Sequence, residues 1–144
     1  MNKLFLSSLL SLGLASSVCG QTLTLSVETT MNSGVLSAAI FDSQASFESD
    51  KAVMAKRVPV QTGPTTLSFV DLPAGTYGVA LFQDENGNQK LDVNLLGAPK
   101  EPFGFSGNPK IGFSAPTFDA FKFDFDGTDQ TLSITLNGGG HGPP

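Results

Sequence analysis

Strict alternation of apolar and polar side chains is the feature that most constrains what this chain can fold into. In Thr22-Leu23-Thr24-Leu25-Ser26-Val27 apolar residues take every second position and hydroxyls take the rest. The pattern returns in Thr131-Leu132-Ser133-Ile134-Thr135-Leu136. Successive side chains of an extended strand point to opposite faces, so each segment buries one face and wets the other. Further strand-like runs occur at 35–41, 58–61, 66–70, 77–82 and 121–125. Between them lie Asn32-Ser33-Gly34, Gly63-Pro64, Leu72-Pro73-Ala74-Gly75 and Asp126-Gly127, residues that supply the backbone angles of tight turns. About seven short strands with frequent turns predict an all-β fold, an antiparallel β-sandwich of immunoglobulin-like or prealbumin-like type with one long ordered loop. Two short helical turns are expected, at 44–51 and at Ser114-Ala115-Pro116, where Ser114 would cap and Pro116 would sit in the first turn.

Residues 1–20 have the layout of a secretory signal peptide: Lys3, an apolar stretch over 4–14, then small residues to Gly20. The stretch is shorter than the roughly 20 residues that span a bilayer, and no second one follows. Cleavage after Gly20 would make Gln21 the first mature residue. The rival is a lipoprotein signal acylated at Cys19, although Val18 stands where such signals carry a small residue. After ordinary cleavage the domain, 21–136, has no cysteine and no disulfide, and its roughly 120 residues must build one core unaided. The Gly- and Pro-rich tail, 137–144, is expected to be disordered. The protein is therefore expected to be exported, to the periplasm or the medium.

The chain has 8 basic and 13 acidic residues, and loss of Lys3 with the signal peptide takes the net charge from −5 to −6. Phosphate contacts supply most nucleic-acid affinity, so an acidic domain without a Lys/Arg cluster is a poor nucleic-acid binder. The net charge also argues against adhesion to anionic lipid. It suits a protein partner, a small ligand or a divalent cation.

The segment Asp84-Glu85-Asn86-Gly87-Asn88-Gln89-Lys90-Leu91-Asp92 directly follows a strand. Side-chain oxygens at Asp84, Asn86, Asn88 and Asp92 occupy relative positions one, three, five and nine, and the Lys90 carbonyl occupies position seven. Hard cations want six to eight oxygen ligands, and calcium is the ion that such a spacing would hold. The departures from a helix-loop-helix calcium loop are Gln89 in place of glycine and Leu95 in place of the final glutamate. Glu101, Asn94 or a backbone carbonyl could complete the set. The alternative is a polar loop whose Asx side chains cap their own backbone.

Seven of the 12 phenylalanines lie between 103 and 125: Phe103, Phe105, Phe113, Phe118, Phe121, Phe123 and Phe125. Such a cluster can pin a long loop to a sheet as a satellite core, or it can hold a small ligand or a glycan ring. Phenylalanine is usually buried and there is no tryptophan to stack on a sugar, which favours the core. Phe121, Phe123 and Phe125 alternate with Lys122 and Asp124 as the inward face of a strand would. The lone histidine, His141, lies in the tail and cannot be fixed as an acid-base group. The remaining enzymatic option is carboxylates alone, such as Asp124 and Asp126, and the sequence points away from an enzyme.

The run Asp71-Leu72-Pro73-Ala74-Gly75-Thr76-Tyr77-Gly78-Val79-Ala80-Leu81-Phe82, then Asp84-Glu85-Asn86-Gly87-Asn88, Leu91-Asp92, Gly97, Pro99, Glu101 and Gly104-Phe105-Ser106, resembles an exported bacterial family known as domain of unknown function 2141. The resemblance covers about 23–136. It implies secretion and a β-sandwich and brings no catalytic residues with it. More loosely, Leu72 to Tyr77 is similar to a turn of the transthyretin-like and carboxypeptidase-regulatory sandwich modules. The expectation is an exported, non-catalytic binding or structural module, with calcium at 84–92 or a small ligand or glycan on the Phe-rich 103–125 segment as its candidate chemistry.

Overall fold

Two sheets form where the alternating segments pair. The structure, a computed structural model, describes residues 21–138; the segment 1–20 expected to be a signal peptide, Cys19 within it, and His141 lie outside the described residues. In chain order the elements are β1 (Thr22–Glu28), β2 (Val35–Phe41), α1 (Gln44–Glu48), β3 (Met54–Pro59), β4 (Thr65–Val70), β5 (Gly75–Asp84), β6 (Phe103–Phe105), α2 (Phe118–Phe121), β7 (Lys122–Phe125) and β8 (Gln130–Thr135). One sheet has the order β4-β1-β8, the other β3-β2-β5-β6, with β7 pairing the first half of β5. The fold is the expected all-β sandwich, with eight strands.

The alternation decides which side chains meet. Leu23, Leu25 and Val27 of β1, Leu67 and Phe69 of β4, and Ile134 of β8 face Leu36, Ala38 and Ile40 of β2 and Val79 and Leu81 of β5 in one buried core. The larger sheet is covered on its outer face too. There Phe41, Phe105, Phe118 and Phe121 form a second cluster, with Phe47 and Ala80 packed against it. Gly78 of β5 makes this possible, because a Cβ there would lie 2.4 Å from the Phe121 ring.

Several expectations are corrected. The parallel pairing of β1 with β8 breaks an otherwise antiparallel scheme; the period-two pattern carries no strand direction, so sequence alone is blind to it. β3 starts at Met54 rather than at 58. It is an edge strand with little burial, so it shows no clean alternation, and its exposed Lys56 and Arg57 suit an edge. β6 has three residues, too few for a period to appear. The helical turn expected at Ser114-Ala115-Pro116 falls instead at Phe118–Phe121, with Thr117 at the cap. Phe121 consequently leaves the strand face assigned to it and joins the outer cluster, whereas Phe125 enters the main core with Phe123 partly buried beside it. Asn137, placed in the tail, is bridged to Phe103 by two backbone hydrogen bonds.

Candidate functional site

β5 ends at Asp84 and β6 begins at Phe103, so the segment over 85–102 is the longest connection between strands in the described residues. It is held at both ends by buried carboxylates. Asp84 Oδ2 accepts from Arg57 Nη2 at 2.7 Å and from the Gln89 N–H at 2.9 Å, and Oδ1 accepts from the Gly87 N–H at 2.8 Å. Arg57 sits on β3, one strand beyond the β2 partner of Asp84, and reaches over β2 to it. Burial on its own would raise the Asp84 pKa, but the Arg57 hydrogen bond, the Gln89 and Gly87 amides and the Arg57 charge together outweigh it and hold the carboxyl below its ordinary value. Glu101 is the second clamp. Its Oε1 accepts from the Glu85 N–H at 3.0 Å and its Oε2 from the Asp92 N–H at 3.2 Å.

Within the loop, Asn86 and Asn88 donate their amide groups to the two oxygens of Asp92, at 2.6 and 2.8 Å. Asn86 Oδ1 accepts from the Asn88 N–H and Asn88 Oδ1 from the Lys90 N–H. Asn94 Oδ1 accepts from the Leu96 and Ala98 N–H groups. Of the five candidate ligands, the structure brings Asn86, Asn88 and Asp92 together. Asp84 is turned to Arg57, and Lys90 engages through its backbone N–H. Among the described residues no group of three or more His, Cys, Asp or Glu converges as a metal cluster. The loop oxygens are occupied by N–H donors, so a cation would have to exchange for those hydrogen bonds. Arg57 was invisible to sequence reasoning because only strand register brings it to Asp84.

Beside the loop lies a cleft of about 830 Å³ on the outer face of the larger sheet. Its floor includes Phe41, Phe47, Phe82, Phe103 and Phe105, and its two banks are the loop over 89–99 and the segment over 111–116. Phe105 is buried and Phe103 half-buried. Phe47 packs edge-on against Phe41, Phe105 and Phe121, so these rings form a locked floor rather than free stacking platforms. Phe113, in contrast, projects wholly into solvent on one bank.

The carboxylate pair considered for catalysis is exposed and locally occupied. Asp124 Oδ1 accepts from Thr76 Oγ1, and Asp126 Oδ1 accepts from both the N–H and the hydroxyl of Thr128. A shallower hollow of about 560 Å³ near the start of β5 is lined by Asp42, Asp71 and Tyr77. There the Tyr77 hydroxyl is committed to the Pro73 carbonyl, and Asp42 Oδ1 accepts from Ser43 Oγ.

A family model described as an uncharacterized protein conserved in bacteria, DUF2141, matches residues 27–133. No curated protein and no solved structure matches the chain, and the looser likeness to transthyretin-like modules finds no support there.

Proposed function

The chain belongs to this family of uncharacterised bacterial proteins, and from that premise we propose that it is an exported, non-catalytic binding module that takes a small apolar or amphipathic ligand in the cleft beside the 85–102 loop. The observation that carries this reading is the cleft itself, about 830 Å³ over a bed of phenylalanines. Small-molecule sites are concave, mostly apolar and of about 300–1,000 Å³. The locked, edge-packed rings favour an acyl or aromatic moiety over a sugar, which wants an open aromatic face. The loop bank supports the reading as well: Asp84 and Glu101 hold it through its own backbone N–H groups, so little ordering entropy on that side would oppose binding.

The test uses anilinonaphthalene sulfonate as an apolar anionic probe, followed by fluorescence titration. Saturable binding at one site per chain is expected. Ala39 lies half-buried on the cleft floor, and Ala39→Phe would fill it. That variant, with an unchanged far-ultraviolet spectrum, should lose the saturable phase. Unaltered titration in the variant, or no saturable phase in the parent protein, sinks the proposal.

A second reading adds calcium to the same loop. Its motive is that Asn86 and Asn88 already meet the Asp92 carboxylate through their side-chain amides. Calcium there would exchange amide–carboxylate hydrogen bonds for metal–oxygen bonds. A cation that binds only the folded state, present at about 100 times its dissociation constant, stabilises by about 2.7 kcal/mol. Thermal melting should then rise by several degrees from EDTA to calcium, and Asp92→Ala should abolish the rise. Identical melting in both buffers would remove calcium and leave the loop as self-capped turn chemistry.

A further inference from the structure

Resting on the small-ligand reading of the cleft, we infer that its ligand is a medium-chain acyl carboxylate bound in one direction. The carboxylate takes the Ser37 hydroxyl at the end of the cleft where β2 begins, and the apolar body runs over Ala39 and Ala80 toward Phe41. Ser37 is the residue that selects the head group.

Strand register gives the cleft floor its direction. β2 contributes Ser37, Ala39 and Phe41, alternate residues that share one face. Ser37 stands between Arg57 of β3 and Phe82 of β5, and Ala39 between Ala55 and Ala80. Phe103 and Phe105 continue these two rows on β6. Of the residues that β2, β5 and β6 bring to the cleft, Ser37 alone is polar. It is half-buried. Among the described residues its hydroxyl makes no hydrogen bond, and the Arg57 guanidinium in the next strand uses one nitrogen, Nη2, on Asp84. Four residues further along β2, about 13 Å at strand spacing, the Phe41 ring packs edge-on against Phe47.

The groups above the floor follow the same direction. Gln89 and Lys90 line the cleft. They belong to the Ser37 end, because the Gln89 N–H is fixed on Asp84, which pairs with Val35 at the start of β2. Among the described residues Lys90 is in no ion pair. Asp50, the acid that lines the cleft, belongs to the Phe41 end: it follows α1, and its N–H is bonded to the Phe47 carbonyl.

The Ser37 end is not positive overall, since Asp84, Glu85, Asp92 and Glu101 belong to the adjoining loop. The direction of the polar atoms selects the head, not the net charge. Asp84, Asp92 and Glu101 each accept N–H groups of the loop on both oxygens, and neither they nor Glu85 line the cleft. The groups that do line it at this end include a hydroxyl and an ammonium, both donors. An ionised acceptor makes a stronger hydrogen bond to such donors than a neutral one. A purely apolar ligand would instead cover the Ser37 hydroxyl and leave it unpaired, which is costly.

The test is calorimetric titration of the protein with octanoate and with 1-octanol. Octanoate is expected to bind at one site per chain, about tenfold tighter than octanol, the worth of one charge-assisted hydrogen bond over a neutral one. Ala39→Phe should abolish both. Ser37→Ala should erase the preference for octanoate, and Ser37→Thr, which keeps the hydroxyl, should retain it. A general loss of structure would weaken both probes alike, so the ratio of the two affinities is the readout. Lys90→Gln should weaken octanoate by about threefold and leave octanol unchanged. Direction is read separately. The chain has no tryptophan, so Phe47→Trp makes a single reporter at the Phe41 end. There 8-bromooctanoate, with bromine on its tail, should quench more strongly than 2-bromooctanoate. Three results overturn the inference while cleft binding of anilinonaphthalene sulfonate persists: octanoate no tighter than octanol, a preference unchanged in Ser37→Ala, or stronger quenching by 2-bromooctanoate. No saturable binding of the dye or of either octyl probe removes the ligand reading, and this inference with it.

Discussion

At the scale of single residues, Arg57 and Asp84 form the most consequential pair in the described residues. Asp84 is wholly buried, while about a third of the Arg57 side chain reaches water. The two partners are therefore unequal. Without Asp84, the guanidinium can turn to solvent. Without Arg57, a charged carboxylate stays buried on two loop amides, and breaking a buried pair in that direction costs about 3 kcal/mol or more. Arg57→Met is expected to lower the urea midpoint by that amount of stability. Adding Asp84→Asn should recover a good part of the loss, because a neutral amide needs no counter-charge. A double variant no more stable than Arg57→Met would show that the carboxylate's charge is not what Arg57 offsets. Gly34 guards the same spot. It has φ +88, and a Cβ there would lie 2.6 Å from the Asp84 carbonyl oxygen, so a side chain is excluded both by conformation and by space.

At the scale of elements, the parts of the fold legible in the sequence are those with one wet face. β1, β4 and β8 alternate cleanly and agree with the sequence pattern nearly to the residue; β2, covered on its second face by Phe41 and Ala39 packing, is legible instead as a short apolar run between turns. β3 was mostly missed because an edge strand buries too little to write a pattern. β6 was missed because its meaning is tertiary: Gly104 lies where a Cβ would meet Ile134 and the Thr135 carbonyl at 3.1 Å, so the residue is chosen by contact with β8. Phe121 was assigned to the wrong face because the chain turns at Lys122, on leaving α2, and a run of alternating phenylalanines does not reveal a turn. The 84–92 segment is legible as a polar loop with ordered oxygens that includes Asp92, and Glu101 stands among the residues that could complete its ligand set. Sequence spacing could not tell whether those oxygens would face a cation or the loop's own amides. That depends on where Arg57 and Glu101 arrive, which is set by register and not by local composition. The cleft was half legible, since the phenylalanines were counted but their division into a buried floor and the exposed Phe113 comes from packing.

At the scale of the whole molecule, stability should depend on pH in a way these contacts specify. The only histidine, His141, lies outside the described residues, so within them no group titrates near neutrality by its ordinary pKa. A plateau between about pH 5 and 8 is expected. Below it, Asp84 dominates. Its folded pKa is depressed below its ordinary value, so the unfolded chain takes up a proton first as acid is added. The stabilisation is whole above the unfolded pKa and is lost as pH falls toward the folded one. Asp126 is shifted in the same direction, chiefly by the Thr128 hydroxyl and then by the Thr128 N–H, but it is exposed and should add little. Lys122 behaves oppositely. Asp119 raises its pKa, so its contribution is present below the unfolded value and lost as pH rises through the folded one, far above the working range. Acidification also relieves the repulsion among 13 acidic residues, which works against the loss. The measurement that separates the two effects is the urea midpoint from pH 6 to pH 3 for the parent and for Asp84→Asn. General charge relief is nearly the same in both proteins. Only the parent carries the buried carboxylate, so its midpoint should fall more steeply below about pH 4. Parallel curves would mean that Asp84 is protonated as readily folded as unfolded, and that the pair with Arg57 sets geometry without contributing electrostatic stability.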